Sequence, residues 1–318
     1  MVYLPKGDSW MATLYERALG SLLGSFVGDA FGAQTEFKRE KDILKQFPSG
    51  ITEMDDAERS VGKVGEITDD SEMALLTAAS LVANDGFNVV DLRRRYVAWV
   101  DTDPPGIGRT TYQALKNNCF LHLRWTNGAL MRVAPLGIWG TRVSEEELLE
   151  IAREECRLTH VHRFCQEANQ LWALGIRKAI LEGASKEEIH TYLLELADRI
   201  EIDPSLKKVL VLAGTQPPVV DGPDKGWVTV SFQQALYSVL HATSIEDEIM
   251  AITMRGGDTD TNAAIYGMMA GAIHGSEAIP RRWVEALKPS SSLLELLGSR
   301  AAKLDALAYD LAVGLLGS

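Results

Sequence analysis

Apolar residues recur at helical spacing along almost the whole chain. Between Met11 and Ala33, Leu14, Ala18, Leu22, Phe26 and Ala30 lie four apart, the repeat that places side chains on one face of a helix. The same segment carries a second row, Gly20, Gly24, Gly28 and Gly32. Each glycine in a helix interior costs up to about 1 kcal/mol relative to alanine, so a row of them predicts close backbone approach to another helix. Gly267, Gly271 and Gly275 repeat the spacing in an apolar segment late in the chain. Both segments are expected in the core.

Further helices are expected at Asp91–Asp103, Tyr112–Leu123, Gln166–Leu181, Ser185–Ile200, Ser205–Ala213, Thr229–His241, Ser244–Met254 and Ser299–Leu316. In the first of these Leu92, Tyr96 and Trp99 face inward and Arg93 to Arg95 outward, and Pro104-Pro105-Gly106 ends it. Ser144 with Glu147 reads as a capping box opening a helix that ends near Leu158, and Thr68 or Asp69 can cap a helix, Asp69 and Glu72 having box spacing. A short apolar segment to Trp139 and a short helix near Ile279 complete the set. Lys38 to Lys63 is charged and broken by Pro48, Gly50 and Gly62, which predicts an irregular, mobile excursion; Thr215 to Gly226 must be a loop. No stretch alternates apolar and polar residues between turn signals. With no repeat, low-complexity tract or linker, the pattern predicts an all-α chain forming a single domain over residues 1–318, with 1–12 as an N-terminal extension.

Composition narrows the partners. At 46% hydrophobic and 24% charged residues, disorder is excluded as the main state. A net charge of -12 argues against a broad nucleic-acid surface. Cys119, Cys156 and Cys165 have no paired metal spacing and read as thiols in a reducing compartment. Met1 to Trp10 lacks the order of a signal peptide, and no apolar run reaches the about 20 residues of a membrane span. A cytoplasmic protein without membrane contact is expected.

Two acidic clusters carry the chemistry. Arg255-Gly256-Gly257 precedes Asp258-Thr259-Asp260-Thr261, and Thr68-Asp69-Asp70 opens an earlier helix. Capping explains one carboxylate in each; crowding the rest together raises their pKa values unless a cation neutralises them. Hard oxygen ligands select magnesium, manganese or calcium, and the number of oxygens points to two ions. Asp29, inside an apolar helix, needs a partner whether its role is structural or functional. Glu36, just past that helix, reads by itself as a solvated loop acid. Gly106 to Thr111 and Asn127 to Arg132 are glycine-bearing starts with nearby arginines, where free N–H groups can hold an anion. His160, His162 and Cys165 lack the further His/Cys ligands that zinc usually takes, so zinc is not expected.

Gly28 to Glu36, Thr68 to Met73, Asn127 to Arg132, Thr159-His160 and Arg255 to Thr261 stand in the order found in ADP-ribosylglycohydrolases, the ADP-ribosyl-acceptor hydrolases, and the chain resembles that family from about residue 15 to 285. The resemblance implies an all-helical fold with a pair of Mg2+ or Mn2+ ions held by Thr68, Asp69, Asp70, Asp258, Asp260 and Thr261. It implies an ADP-ribose groove lined by Asn127, Gly128, Met131, Arg132 and His160. The implied reaction is hydrolysis at C1 of the ribose distal to adenine, with Glu36 or Asp69 taking a proton from water. The implied partners are an ADP-ribosylated protein and ADP-ribose. Arg255 resembles the arginine-directed members; serine-linked or small-molecule ADP-ribose such as O-acetyl-ADP-ribose, a metal-dependent phosphohydrolase, and a non-catalytic, crystallin-like structural protein are the alternatives. Two departures touch the groove. Gly106 stands where many relatives carry an acid, for which Asp101 or Asp103 could substitute, and Val161, His162 and Arg163 replace the usual run after His160.

Overall fold

The first helix, α1 (Leu14–Gly32), opens on a capping box: Glu16 N–H donates to Thr13 Oγ1 at 3.1 Å and Thr13 N–H to Glu16 Oε2 at 2.6 Å. The structure, a computed structural model, describes residues 12–57, 59, 62–104 and 106–317. The expected N-terminal extension, except residue 12, and the stop at Pro105 lie outside the described residues. In chain order follow α2 (Glu40–Gln46), α3 (Asp69–Asn84), α4 (Val89–Val100), α5 (Arg109–Lys116), α6 (Ala134–Trp139), α7 (Glu145–Arg157) and α8 (Arg163–Glu182). Then come α9 (Lys186–Arg199), α10 (Pro204–Leu212), α11 (Val228–His241), α12 (Ile245–Arg255), α13 (Thr259–His274), α14 (Arg281–Ala286), α15 (Ser291–Leu297) and α16 (Leu304–Leu316). Short 3-10 turns join several of them. Among the described residues there is no strand, only three isolated bridges. No helix among them is long and apolar enough to cross a membrane.

The two glycine rows meet. A Cβ built on Gly24 would lie 2.2 Å from Gly267 O, and one on Gly267 would lie 2.0 Å from Gly24 O. The same reciprocity joins Gly20 and Gly271, while Gly28 and Gly32 pack on the backbone of Ala263 and Thr259. Helices α1 and α13 therefore run antiparallel in backbone contact, bringing the C-terminal end of α1 beside the N-terminal end of α13. Buried apolar residues from α1 through α16 form a continuous cluster around this pair.

Several local expectations need correction. The stretch after Lys38 is not irregular throughout: it contains α2, and Ile43, Ile51, Met54 and Ala57 are buried. Gln34 ties this stretch to α1, its Nε2 donating to Glu53 O at 3.0 Å and its Oε1 accepting from Ala57 N–H at 3.0 Å. Helix α5 stops at Lys116 rather than Leu123, since Asn118 adopts a left-handed φ of 49°. Ser144 caps α7, but Glu147 does not return the bond. The C-terminal helix is divided, with α15 added before it.

Candidate active site

The turn after α1 is laced to the loop before α13. Thr259 Oγ1 donates to Gly32 O at 2.7 Å, and Thr35 Oγ1 to Thr253 O at 2.7 Å. Phe37 N–H donates to Gly257 O at 2.6 Å, and Gly257 N–H to Lys38 O at 2.9 Å. Gly257 has a φ of 82°, and a Cβ there would lie 2.0 Å from Val220 O. Glycine at that position is thus required twice, by conformation and by space. The lacing brings Glu36 to Asp258 and Asp260, with one carboxylate oxygen of each lying within 4.8 Å of the others. Glu36, expected to act beside the metal ligands and not among them, lies in the same carboxylate group as the two aspartates.

The start of α3 is held from another helix. Thr68 occupies the N-cap position, yet its side chain makes no capping bond. Asp29 of α1, with 0% exposure, supplies the cap instead. Its carboxylate accepts from Thr68 N–H at 3.0 Å, Thr68 Oγ1 at 2.8 Å and Ser71 N–H at 3.2 Å, and also from Ser71 Oγ. The expected capping box is absent: Glu72 accepts from Trp99 Nε1 and Ser290 Oγ. Asp258, at the N-cap of α13, makes no capping bond either. In both clusters the helix start leaves carboxylates turned to the cavity.

That cavity, of about 290 Å³, has Glu36, Asp69, Asp70, Asp258, Asp260 and Thr261 on one side. Its other wall comes from the start of α5 and the segment from Arg124 to Met131, with His160 behind. Asn127 Nδ2 donates to Asp258 Oδ2 at 2.7 Å and to Ser231 Oγ at 3.0 Å, so it also fixes that aspartate. Gly128 is explained by His160, whose Cε1 would sit 3.0 Å from a Cβ there. Thr68 and Arg132 do not line the cavity. Arg132 is fully buried behind the wall, donating to Glu155 Oε1 at 2.6 Å, Thr159 Oγ1 at 2.8 Å and Gly128 O at 3.0 Å. This corrects the direct ligand contact expected of it. Asp101 is paired at the surface with Lys116 at 2.6 Å, and neither it nor Asp103 reaches the cavity. The substitution of Asp101 or Asp103 for an acid expected at Gly106 is therefore not seen. His162 Nδ1 accepts from Phe164 N–H at 3.2 Å, and the ring does not line the cavity.

Burial first, then mutual repulsion, pushes Asp69, Asp70 and Asp260 well above the usual carboxylate range; Asp29 and Asp258 are raised by burial. Glu36 is pushed up to about 7 by burial and by Asp258 and Asp29. Arg59 and Lys225 oppose these shifts as cations. Asp70 Oδ1 is buried with no hydrogen-bond partner. A buried, hard-oxygen donor set with so little compensating charge fits divalent cations.

A pH dependence follows for the metal-free protein. Groups whose folded pKa values are raised contribute stability that is complete below about pH 4 and is lost as pH rises through the folded values, about 7 for Glu36. The unfolding midpoint of EDTA-treated protein is expected to fall across that window. Added Mg2+ or Mn2+ should raise it more at pH 8 than at pH 5. A midpoint indifferent to both pH and ions would contradict the cation assignment.

The comparisons with known proteins agree with this arrangement. The profile of the ADP-ribosylglycohydrolase family matches residues 11–312. The ADP-ribosyl-[dinitrogen reductase] glycohydrolase of Rhodospirillum rubrum is 28% identical, over 86% of this chain and 91% of its own length. The ADP-ribosylarginine hydrolase Tri1 of Pseudomonas putida is also 28% identical, over 92% of this chain and 80% of its own. A solved structure titled as an ADP-ribosylglycohydrolase-related protein complex superposes with a TM-score of 0.79 at 30% identity, covering 95% of this chain and 98% of that one. With its helical architecture, its acid-lined cavity and a family match over nearly its whole length, this chain belongs to the ADP-ribosylglycohydrolase family.

Proposed function

We propose that the protein removes ADP-ribose from ADP-ribosylated arginine side chains of proteins, by attack of water at C1 of the ribose distal to adenine. The observation that carries this reading is the convergence of Glu36 with Asp258 and Asp260 on one cavity. Thr68, Asp69, Asp70, Asp258, Asp260 and Thr261 are the residues that would hold two Mg2+ or Mn2+ ions. When bound, such ions supply Lewis acidity toward water and sugar oxygens.

The chain's own groups do the rest. Glu36 takes a proton from the attacking water, its raised pKa suiting a general base, and Asp69 is the second candidate. The clustered carboxylates favour the positive charge that develops on the sugar as the bond to the acceptor breaks. Asn127, Gly128 and Met131 shape the wall against which ADP-ribose lies, with the N–H groups at the start of α5 available to its phosphates.

Arginine linkage is supported by the similarity to a hydrolase named for ADP-ribosylarginine. Arg255 gives no direct support: its Nη1 donates to Glu248 Oε1 at 2.6 Å, and it does not line the cavity. A second reading, hydrolysis of serine-linked or O-acetyl-ADP-ribose, draws on Gly106, which lines the cavity and brings no side chain to it, a Cβ there lying 3.6 Å from Asp69 Oδ1. Arginine- and serine-ADP-ribosylated proteins incubated with the protein, with and without Mg2+, separate the two. Mg2+-dependent release from the arginine substrate is expected. Release from serine alone would favour the second reading, and release from neither would sink both.

A further inference from the structure

A chain of hydrogen bonds with one consistent direction runs from the buried core to the cavity wall. Arg132 Nη2 donates to Thr159 Oγ1 at 2.8 Å, and Thr159 Oγ1 lies 2.7 Å from His160 Nδ1. On the other side of the ring, His160 Nε2 lies 2.9 Å from Thr126 Oγ1, which donates to Thr110 Oγ1 at 3.0 Å. A hydroxyl has a single hydrogen. Because Thr126 gives its hydrogen to Thr110, the bond between Thr126 and His160 must be donated by Nε2–H. A neutral imidazole that donates at Nε2 accepts at Nδ1, and the hydrogen available there is that of Thr159. The upstream end is compatible with this, since Thr159 Oγ1 accepts from Arg132 and keeps its own hydrogen to give. Burial and the Arg132 charge keep the ring neutral, its pKa pushed down to about 3.

The hydrogen left over at the end belongs to Thr110. Its oxygen accepts from Thr126, and among the described residues its own hydrogen has no acceptor. Thr110 is 6% exposed and lines the cavity in the first turn of α5, where backbone N–H groups have no intrahelical partner. Arg109 and Arg124 line the same wall. This side of the cavity thus offers donors, opposite the carboxylate side.

We propose that Thr110 is a binding residue whose hydroxyl donates to an ionised phosphate oxygen of the ligand, and that His160 is its positioning residue, acting through Thr126 rather than on the ligand. The unused hydrogen of Thr110 calls for an acceptor, and an ionised phosphate oxygen, which only accepts, is the strongest one the ligand offers. The proposal rests on reading the cavity as an ADP-ribose site, with the diphosphate against the start of α5.

The test uses the Mg2+-loaded protein with ADP-ribose, ADP and adenosine as probes. Thr110→Val keeps the side-chain shape and is expected to weaken ADP-ribose and ADP about tenfold or more, as for a lost hydrogen bond to a charged group, without changing adenosine. Thr110→Ser restores the hydroxyl and should recover most of the affinity. Nitrogen-15 NMR of the ligand-free protein should show His160 as the Nε2–H tautomer from pH 5 to 8, and Thr126→Val should disturb that tautomer. If Thr110→Val binds ADP like the wild type, or His160 is the Nδ1–H tautomer, the proposal is overturned. If the wild type binds ADP in a Thr110-dependent way but not ADP-ribose, the proposal stands and the ADP-ribose reading fails. Binding of neither overturns both.

Discussion

Asp258→Ala and Asp260→Ala should each lower Mg2+-dependent release of ADP-ribose by about a thousandfold or more, on the order of 4 kcal/mol of transition-state stabilisation. Both residues lie in the three-carboxylate group with Glu36, and both are buried. In the proposed reading, removing either takes away one of the oxygens that would hold the ions. It also relieves repulsion among raised carboxylates, so the metal-free variants should be at least as stable as the metal-free wild type. The combined expectation is lost turnover, unchanged helical circular dichroism and a much smaller Mn2+-induced rise in unfolding midpoint. Full activity in either variant would show that the cation assignment is wrong.

Gly24→Ala and Gly267→Ala should destabilise the protein by about 3 kcal/mol or more, a large share of a typical folding free energy. Intrinsic helix propensity predicts the opposite sign, a gain of about 1 kcal/mol for each. Geometry decides: each new Cβ would meet a backbone carbonyl oxygen, at 2.2 Å from Gly24 and 2.0 Å from Gly267. Backbone cannot rotate away as a side chain can, so α1 and α13 would have to separate. The consequence reaches the site, because the same pair of helices sets Glu36 against Asp260. Gly108→Ala is the control, since nothing lies within 4 Å of its Cβ position. Urea unfolding of the variants measures the sign directly; stabilisation by Gly24→Ala would refute the close packing.

What could be read from the sequence was what is local or periodic. The glycine rows announced close packing in the core because a costly residue recurred at one spacing in two segments, though not that the two would meet each other, and the acid clusters announced a candidate cation site because capping needs fewer carboxylates than they hold. Asp29 shows the limit. A capping residue normally precedes its helix, so Thr68 or Asp69 was the expected cap, with Asp69 and Glu72 at box spacing, whereas the carboxylate that caps α3 comes from α1. Arg132 shows another: nothing near it in sequence reveals that Glu155 holds it behind the wall. Helix α2 buries Ile43 alone, too little to show a period. The hydroxyls of Thr110 and Thr126 gave no signal, because a threonine beside a cavity looks like any other threonine until the partners of His160 are known.

Attack of water on C1 of ribose with Mg2+ present is read directly by hydrolysing arginine-ADP-ribosylated protein in oxygen-18 water and weighing the released nucleotide by mass spectrometry. Intact ADP-ribose carrying the heavy oxygen on its ribose, formed with Mg2+ and not in EDTA, is the expected product. Label in AMP or phosphate, or release unaffected by EDTA, would contradict it.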